Sequence, residues 1–271
     1  MEKCLDVGDA QIAFTDEGEG DAVLLLHGSF SAGWLVPAGR RLVEDGHRVL
    51  NVHRAGYGQS KDLTRGVSVA AHAQHAVRVT EAADLRHAHV VGHSSGASVA
   101  LQLAHARPDL VRSLVLLEAA FPYAPDEPKN PAMARAVEAA REGDYEHAFD
   151  LFLGGVSGPD FRKVFVRELG EDDLQEAVAS SQYFFTAEGA AFAAWSFGSA
   201  EAATVTAPVL LVVGGEGERL STPHRARSAQ LASWLPHSET RVLPGVSHAM
   251  PLEDPALIAG TVEEFVARHN G

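Results

Sequence analysis

The chain has 271 residues, 46% hydrophobic and 21% charged, a size and composition that suit one hydrophobic core with a sizeable insertion. A formal net charge of −14, with only 22 lysines and arginines, argues against nucleic acid or an anionic membrane surface as partner, since both demand basic patches. The single cysteine, Cys4, excludes an internal disulfide and suits a reducing, cytoplasmic setting.

In chain order, the opening MEKCLDVGD holds no apolar core of a signal peptide. No later stretch reaches the roughly 18 consecutive apolar residues of a transmembrane helix. Short apolar runs predict strands over 11–15, 22–27, 48–52, 88–92, 111–118, 208–214 and 240–243. Helical periodicity predicts helices near 34–45, 69–85, 95–106, 223–235 and 254–269. This alternation is the pattern of a mostly parallel sheet covered on both faces. It breaks over residues 119–203, where the proline-rich FPYAPDEPKNP leads into an Ala-rich, helical stretch without a strand. The expected organisation is an α/β core formed by 1–118 and 204–271, with 119–203 as a helical insertion over one end of the sheet.

A predicted strand, HVVG, runs straight into Gly92-His93-Ser94-Ser95-Gly96 and then into the helical ASVALQLAHA. G-x-S-x-G alone is weak, but between a buried strand and a helix it is a nucleophile elbow. The glycines are needed because the turn is tight and side chains flanking the serine would clash. Such a turn lifts the Ser94 hydroxyl above the sheet as nucleophile, and the alternative is a degenerate elbow. Ser95 then contributes only its backbone N–H at the helix start. In LLLHGSFSAGW the strand ends at His27-Gly28, where Gly28 admits close backbone approach. An N–H of this loop, that of Ser29, is the expected partner of the Ser95 N–H in an oxyanion hole.

The HG loop, HRAGYGQS, GHSSGA and LPGVSHAMPLEDP together resemble the α/β-hydrolase family, across nearly the whole chain outside the insertion. The resemblance implies an eight-stranded sheet with a helical cap over the active site and no cofactor. His53 departs from it, standing where the family usually has aspartate, at a structural position. Of the fourteen histidines, His72, His75, His87 and His89 read as helix-face and strand residues, and no metal site is expected. His93, at the variable position of the elbow, is a candidate pocket residue. His248, in the loop PGVSHAMP after the last strand, is the candidate base, and the order Ser…acid…His is that of the family.

Serine at the elbow argues against haloalkane dehalogenases and epoxide hydrolases, relatives that use aspartate there. The expected chemistry is acyl transfer through Ser94 on a carboxylic ester or lactone of a small-to-medium apolar substrate. Phe121, Tyr123, Phe152, Tyr183, Phe184, Phe185, Phe192 and Trp195 lie in the insertion as candidate pocket walls, or else as its own core. Phe121, Phe184 and Trp195 are the ones singled out with His93. GHSSGAS with a glutamate ending the next strand also resembles fungal zearalenone lactonases, which implies a macrocyclic lactone. The alternatives are a C–C bond hydrolase, although that group favours different wording of both motifs, and a ligand-binding, receptor-type relative with little turnover.

The third member of a triad is expected among the glutamates. Family members commonly carry an aspartate after the strand written here PVLLVVGG, but EGERLSTP has none, leaving Glu218 and, less well placed, Glu216. Glu118 competes. It closes the apolar run LVLL beside the expected nucleophile strand, and a buried carboxylate there is costly unless a histidine holds it. Some members of the family carry their acid at this position, and Glu118 is favoured over Glu218.

Overall fold

A computed structural model describes residues 2–64 and 66–270. The strands are β1 (Lys3–Asp6), β2 (Ala10–Glu17), β3 (Ala22–Leu26), β4 (Arg48–Val52), β5 (Lys61–Asp62), β6 (Ala88–His93), β7 (Val111–Leu117), β8 (Val209–Gly214) and β9 (Ser238–Leu243). They form one sheet in the order β1-β2-β4-β3-β6-β7-β8-β9, with β5 added against β2. Pairing is parallel from β4 through β9 and antiparallel at the β1–β2–β4 end. The eight strands expected from the resemblance therefore become nine. The extra one, β5, is a two-residue segment too short to carry a periodic signal.

The central strands are apolar on both sides because helices cover both faces. Along β7, Leu114 and Leu116 face the layer of Val99 and Leu103, while Val115 and Leu117 face that of Leu42 and Ile258. These belong respectively to α3 (Ser95–Ala106), α1 (Val36–Glu44) and α12 (Pro255–Ala267), the last preceded by the single turn α11 (Met250–Glu253). Helix α2 (Val69–Ala82) starts where Ser68 accepts a hydrogen bond from the Ala71 N–H, and Asp254 caps α12 through the Leu257 N–H. No helix among the described residues is long and apolar enough to cross a membrane.

Between β7 and β8 the described chain is helical: α4 (Pro131–Arg141), α5 (Tyr145–Ser157), α6 (Phe161–Leu169), α7 (Glu171–Tyr183), α8 (Gly189–Ala193) and α9 (Ser199–Ala202), with a π-helical turn at Phe184–Glu188. Polar ties hold this segment to loops at the carboxyl ends of the strands. Ser180 Oγ donates to Phe30 O at 2.6 Å, Ser247 Oγ donates to Ser157 O at 3.2 Å, and the His248 N–H donates to Val156 O at 3.4 Å. Arg54 Nη1 donates to Glu188 Oε1 at 2.6 Å, and both side chains are almost wholly buried. Tyr57 also donates to Glu188. A buried charge pair of this kind is tolerated because each partner's polar atoms find partners.

Candidate active site

The site is assembled at the tips of β6, β7 and β8. Ser94 follows β6 with φ 54° and ψ −120°, a strained conformation for a residue with a side chain. The flanking glycines allow it. A Cβ on Gly92 would lie 2.6 Å from Ala97 Cα, and one on Gly96 would lie 2.1 Å from Leu26 O. The Ser94 N–H donates to Leu117 O at 2.9 Å, while Ser94 O accepts from Ala97 and Ala120, each at 3.1 Å. The hydroxyl is thus presented at a fixed point above the sheet.

Parallel register sets Leu117 beside His93, so the next residues, Ser94 and Glu118, emerge from adjacent strand ends. Glu118 also takes a positive φ, 47°, with its N–H donating to Val212 O at 3.0 Å. Its side chain is buried. Oε1 accepts from the Gly214 N–H at 2.8 Å, and Oε2 lies 2.7 Å from His248 Nδ1. His248 Nε2 in turn lies 3.0 Å from Ser94 Oγ. With Nδ1 donating to the carboxylate, Nε2 is left as the acceptor facing the serine hydroxyl. The His248 loop is pinned by Ser247, whose N–H and hydroxyl donate to Glu253 at 2.6 and 2.7 Å.

This dry setting disfavours charge on both partners. Burial raises the pKa of the Glu118 carboxyl, opposed by the Gly214 N–H, and an imidazolium forming on His248 beside it favours the ionised carboxylate. Burial, and then the positive charge of Arg227, bring His248 down to about 3. The ring is therefore held neutral, the form that accepts a proton. Glu218 and Glu216 stand apart from this cluster. Glu218 is 73% exposed and 3.4 Å from Arg225, and Glu216 pairs with Arg219 at 2.6 Å.

Two further imidazoles flank His248. His224, at the start of α10 (His224–Trp234), stacks on it with centroids 4.3 Å apart and planes 2° apart. His93 lies on another side at 4.9 Å, its Nε2 2.9 Å from His248 O. Donor atoms of Glu118, His224 and His248 fall within 4.8 Å of one another. The two rings are parallel, however, so their in-plane lone pairs do not converge on one ion, and the cluster reads as a stack rather than a chelate.

The loop after β3 presents peptide groups to the same space. His27 Nε2 accepts from the Arg54 N–H at 2.8 Å, so Nδ1 carries the proton donated to Gly28 O at 2.6 Å. Burial keeps that ring neutral. Trp34 Nε1 donates to Ser29 O at 2.7 Å. With both carbonyls engaged, the peptide planes around Ser29 are held, and neither the Ser29 nor the Ser95 N–H has an acceptor among the described residues. Gly28 does not itself line the cavity; its place is behind, where a Cβ would meet His93 Nδ1 at 2.9 Å and Ser94 Cβ at 3.2 Å.

Ser94 and His248 open into a cavity of about 580 Å³, lined by Phe121, Tyr123, Phe152, Phe184, Phe185 and Phe192 among the aromatics proposed from sequence. His93 is also in its wall. Tyr183 and Trp195 are not, which corrects the expectation for both. Tyr183 turns to Asp62, donating at 3.0 Å, and Trp195 donates to Gln102 at 2.8 Å while packing on Phe197. Each has a polar tip that finds its partner outside the cavity. His53 likewise sits outside it, 3.5 Å from Glu2.

Sequence reasoning missed Phe30, His224, Arg227 and Glu188, all in the cavity wall. Phe30 packs on Phe184 and Phe152 at 4.5 and 5.2 Å. Arg227 is held bidentately by Glu127, both contacts 2.7 Å, and also donates to Ala120 O. Only Glu188 had a legible signal, a lone carboxylate in the apolar FFTAEGAAF, the same clue that singled out Glu118.

Known proteins resemble this chain in sequence and in fold. A 2-hydroxymuconate semialdehyde hydrolase of Pseudomonas putida is 27% identical over 93% of this chain and 89% of its own. Among solved structures, Est816, described as an N-acyl homoserine lactone degrading enzyme, superimposes with a TM-score of 0.73 at 23% identity, covering 97% of this chain and all of its own. Esterase RhEst1 from Rhodococcus sp. ECU1013 gives 0.77 at 22% identity, covering 99% and 98%. At such identities the two structures speak for the fold. The model of the alpha/beta hydrolase family matches residues 23–261, most of the chain, and the protein belongs to that family.

Proposed function

We propose that the protein hydrolyses a carboxylic ester or lactone of a neutral, small-to-medium apolar substrate through an acyl-enzyme on Ser94. The observation that carries this is the continuous line Ser94 Oγ–His248–Glu118, at 3.0 and 2.7 Å, opening into an aromatic-walled cavity. Ser94 Oγ attacks the carbonyl carbon as its proton passes to His248 Nε2. Glu118 stabilises the imidazolium, and the Ser29 and Ser95 N–H groups receive the developing oxyanion. On collapse, the bond to the leaving oxygen breaks and His248 returns the proton to it. Water, deprotonated by the same ring, then releases the acid and restores Ser94.

Residues 119–203 serve in this reading as a cap, since their aromatics form much of the cavity wall. The cavity volume of about 580 Å³ accommodates a drug-sized ligand, which supports a substrate as large as a macrocyclic, zearalenone-like lactone. A neutral substrate is favoured because the cavity wall is mostly aromatic and apolar, and the Arg227 in it is already paired with Glu127. The exposed Cys4 suits work in a reducing compartment.

The Pseudomonas relative favours a second reading, hydrolysis of a C–C bond in an anionic dicarbonyl compound. Assays on p-nitrophenyl esters, a lactone panel that includes macrocycles, and an anionic vinylogous diketone separate the two. Ester or lactone turnover with a mass-detected acyl adduct on Ser94 is the expected result. Cleavage of the diketone alone would transfer the assignment to C–C hydrolysis.

Two expected results probe the surroundings of the dyad. Burial is the main cause of the lowered His248 pKa, and Arg227→Met removes the positive charge that adds to it. A lowered pKa preserves the neutral base as pH falls, so its rise in the variant moves the acid limb of kcat/KM to higher pH. An unmoved limb would show that Arg227 does not tune the base. Phe184→Ala changes the ratio of rates on large and small substrates, because the ring is cavity wall. Trp195→Ala lowers the melting temperature and leaves that ratio as it was.

A further inference from the structure

Beside the nucleophile stands a polar chain that the triad and the two peptide N–H groups leave unused. Arg54, only 2% exposed, donates through Nη2 to Ser95 Oγ at 2.9 Å. Ser95 Oγ lies 2.9 Å from Ser29 Oγ. Both serines are buried and both line the cavity with Ser94 and His248. They are also the two residues whose N–H groups the proposed mechanism assigns to the oxyanion.

The hydroxyl hydrogens can be counted. The guanidinium has no lone pair to offer, so Ser95 Oγ is its acceptor. One hydroxyl hydrogen bridges the two serine oxygens. The other has no acceptor among the described residues, although both oxygens are nearly removed from solvent. Accepting from a charged donor makes the Ser95 hydroxyl a better donor in turn, so the chain runs from Arg54 to Ser95 to Ser29 and ends in a free O–H. That end belongs to the residue held by Trp34.

We propose that the Ser29 hydroxyl, polarised through Ser95 by Arg54, is a third hydrogen-bond donor to the oxyanion, a catalytic role additional to the two backbone N–H groups. When Ser94 Oγ bonds to the carbonyl carbon, the π pair moves onto oxygen and its negative charge meets this O–H. The Ser29 proton stays on its oxygen while that of Ser94 passes to His248, and on collapse the pair returns as the leaving-group bond breaks. The guanidinium fixes the direction of the chain, since it can only donate to Ser95 Oγ. Glu188, from the helical segment, is its partner on the other side and ties the chain to the substrate cavity. A preorganised donor that strengthens its contact only as charge develops acts on kcat rather than on ground-state binding.

This proposal rests on the acyl-enzyme reading and is tested alongside it. Ser29→Ala keeps the backbone N–H and deletes the hydroxyl, and Ser29→Thr keeps both. With a p-nitrophenyl ester, Ser29→Ala is expected to lower kcat about 10²-fold, the loss typical of one oxyanion donor, with KM nearly unchanged. A boronic acid that forms a tetrahedral anionic adduct should lose affinity by a comparable factor. Ser29→Thr should recover most of both. Ser95→Ala, which cuts the chain one step back and spares the Ser29 hydroxyl, should give a smaller loss in the same two measurements. It also serves as the deciding variant if Ser29→Ala melts abnormally. Unchanged kcat and boronate affinity, or a kcat loss without a boronate loss, would overturn the third donor. In the first case an inactive Ser94→Ala control shows that the acyl-enzyme reading stands without it, whereas an active Ser94→Ala would reject the reading itself.

Discussion

Glu118→Gln is expected to lower the hydrolytic rate by about 10³–10⁴-fold, the scale seen when a triad acid loses its charge. The replacement is nearly isosteric, and its amide oxygen can still accept from the Gly214 N–H now 2.8 Å away. What changes is the edge facing His248 Nδ1. An amide NH₂ there favours a lone pair on Nδ1, which moves the ring proton to Nε2, where it faces Ser94 and blocks proton acceptance. The imidazolium formed on attack also loses its counter-charge in a site too dry for water to replace it. Glu218→Gln is the control and should leave the rate within a few-fold, because that carboxylate is 73% exposed and engages Arg225. Steady-state kcat/KM on one ester decides the matter. A large loss in Glu218→Gln with little in Glu118→Gln would return the acid role to the strand that follows the helical segment.

Ser94→Ala is expected to abolish turnover, and His248→Ala to be comparably severe. Their double variant should be little worse than either, since nucleophile and base act as one unit and their losses do not add. The elbow does not depend on the hydroxyl. Its conformation is held by the Ser94 N–H bond to Leu117 O and by contacts that only Gly92 and Gly96 allow, and alanine satisfies both. Ser94→Ala should therefore bind substrate with wild-type affinity and melt normally. Rates above about a hundredth of wild type would reject the acyl-enzyme mechanism, given the usual cost of losing a nucleophile. Multiplicative losses in the double variant would show that His248 acts independently of Ser94.

The amino-acid sequence by itself determined the features that live within a few residues of chain. The apolar runs and the intervening helical periods specified a sheet buried on both faces. The turn at Gly92–Gly96 could be read because its need for small neighbours is local, and the same holds for the break in alternation over 119–203. Glu118 announced itself as a carboxylate closing an apolar run, and His248 as a histidine between turn residues. Only tertiary structure decided how these pieces meet. Register between β6 and β7 sets Ser94 and Glu118 side by side, and the loop after β9 brings His248 across to both. His224 and Arg227 gave no local sign, since each has meaning only when α10 is laid against the strand tips. Trp195 shows the converse. In sequence it is one more aromatic of the helical segment, yet its indole N–H finds Gln102 on α3 and carries the ring out of the cavity. Side-chain period and turn chemistry are encoded locally, whereas a cavity wall is shared among elements far apart in the chain. Which aromatic faces it depends on where each polar tip finds its partner.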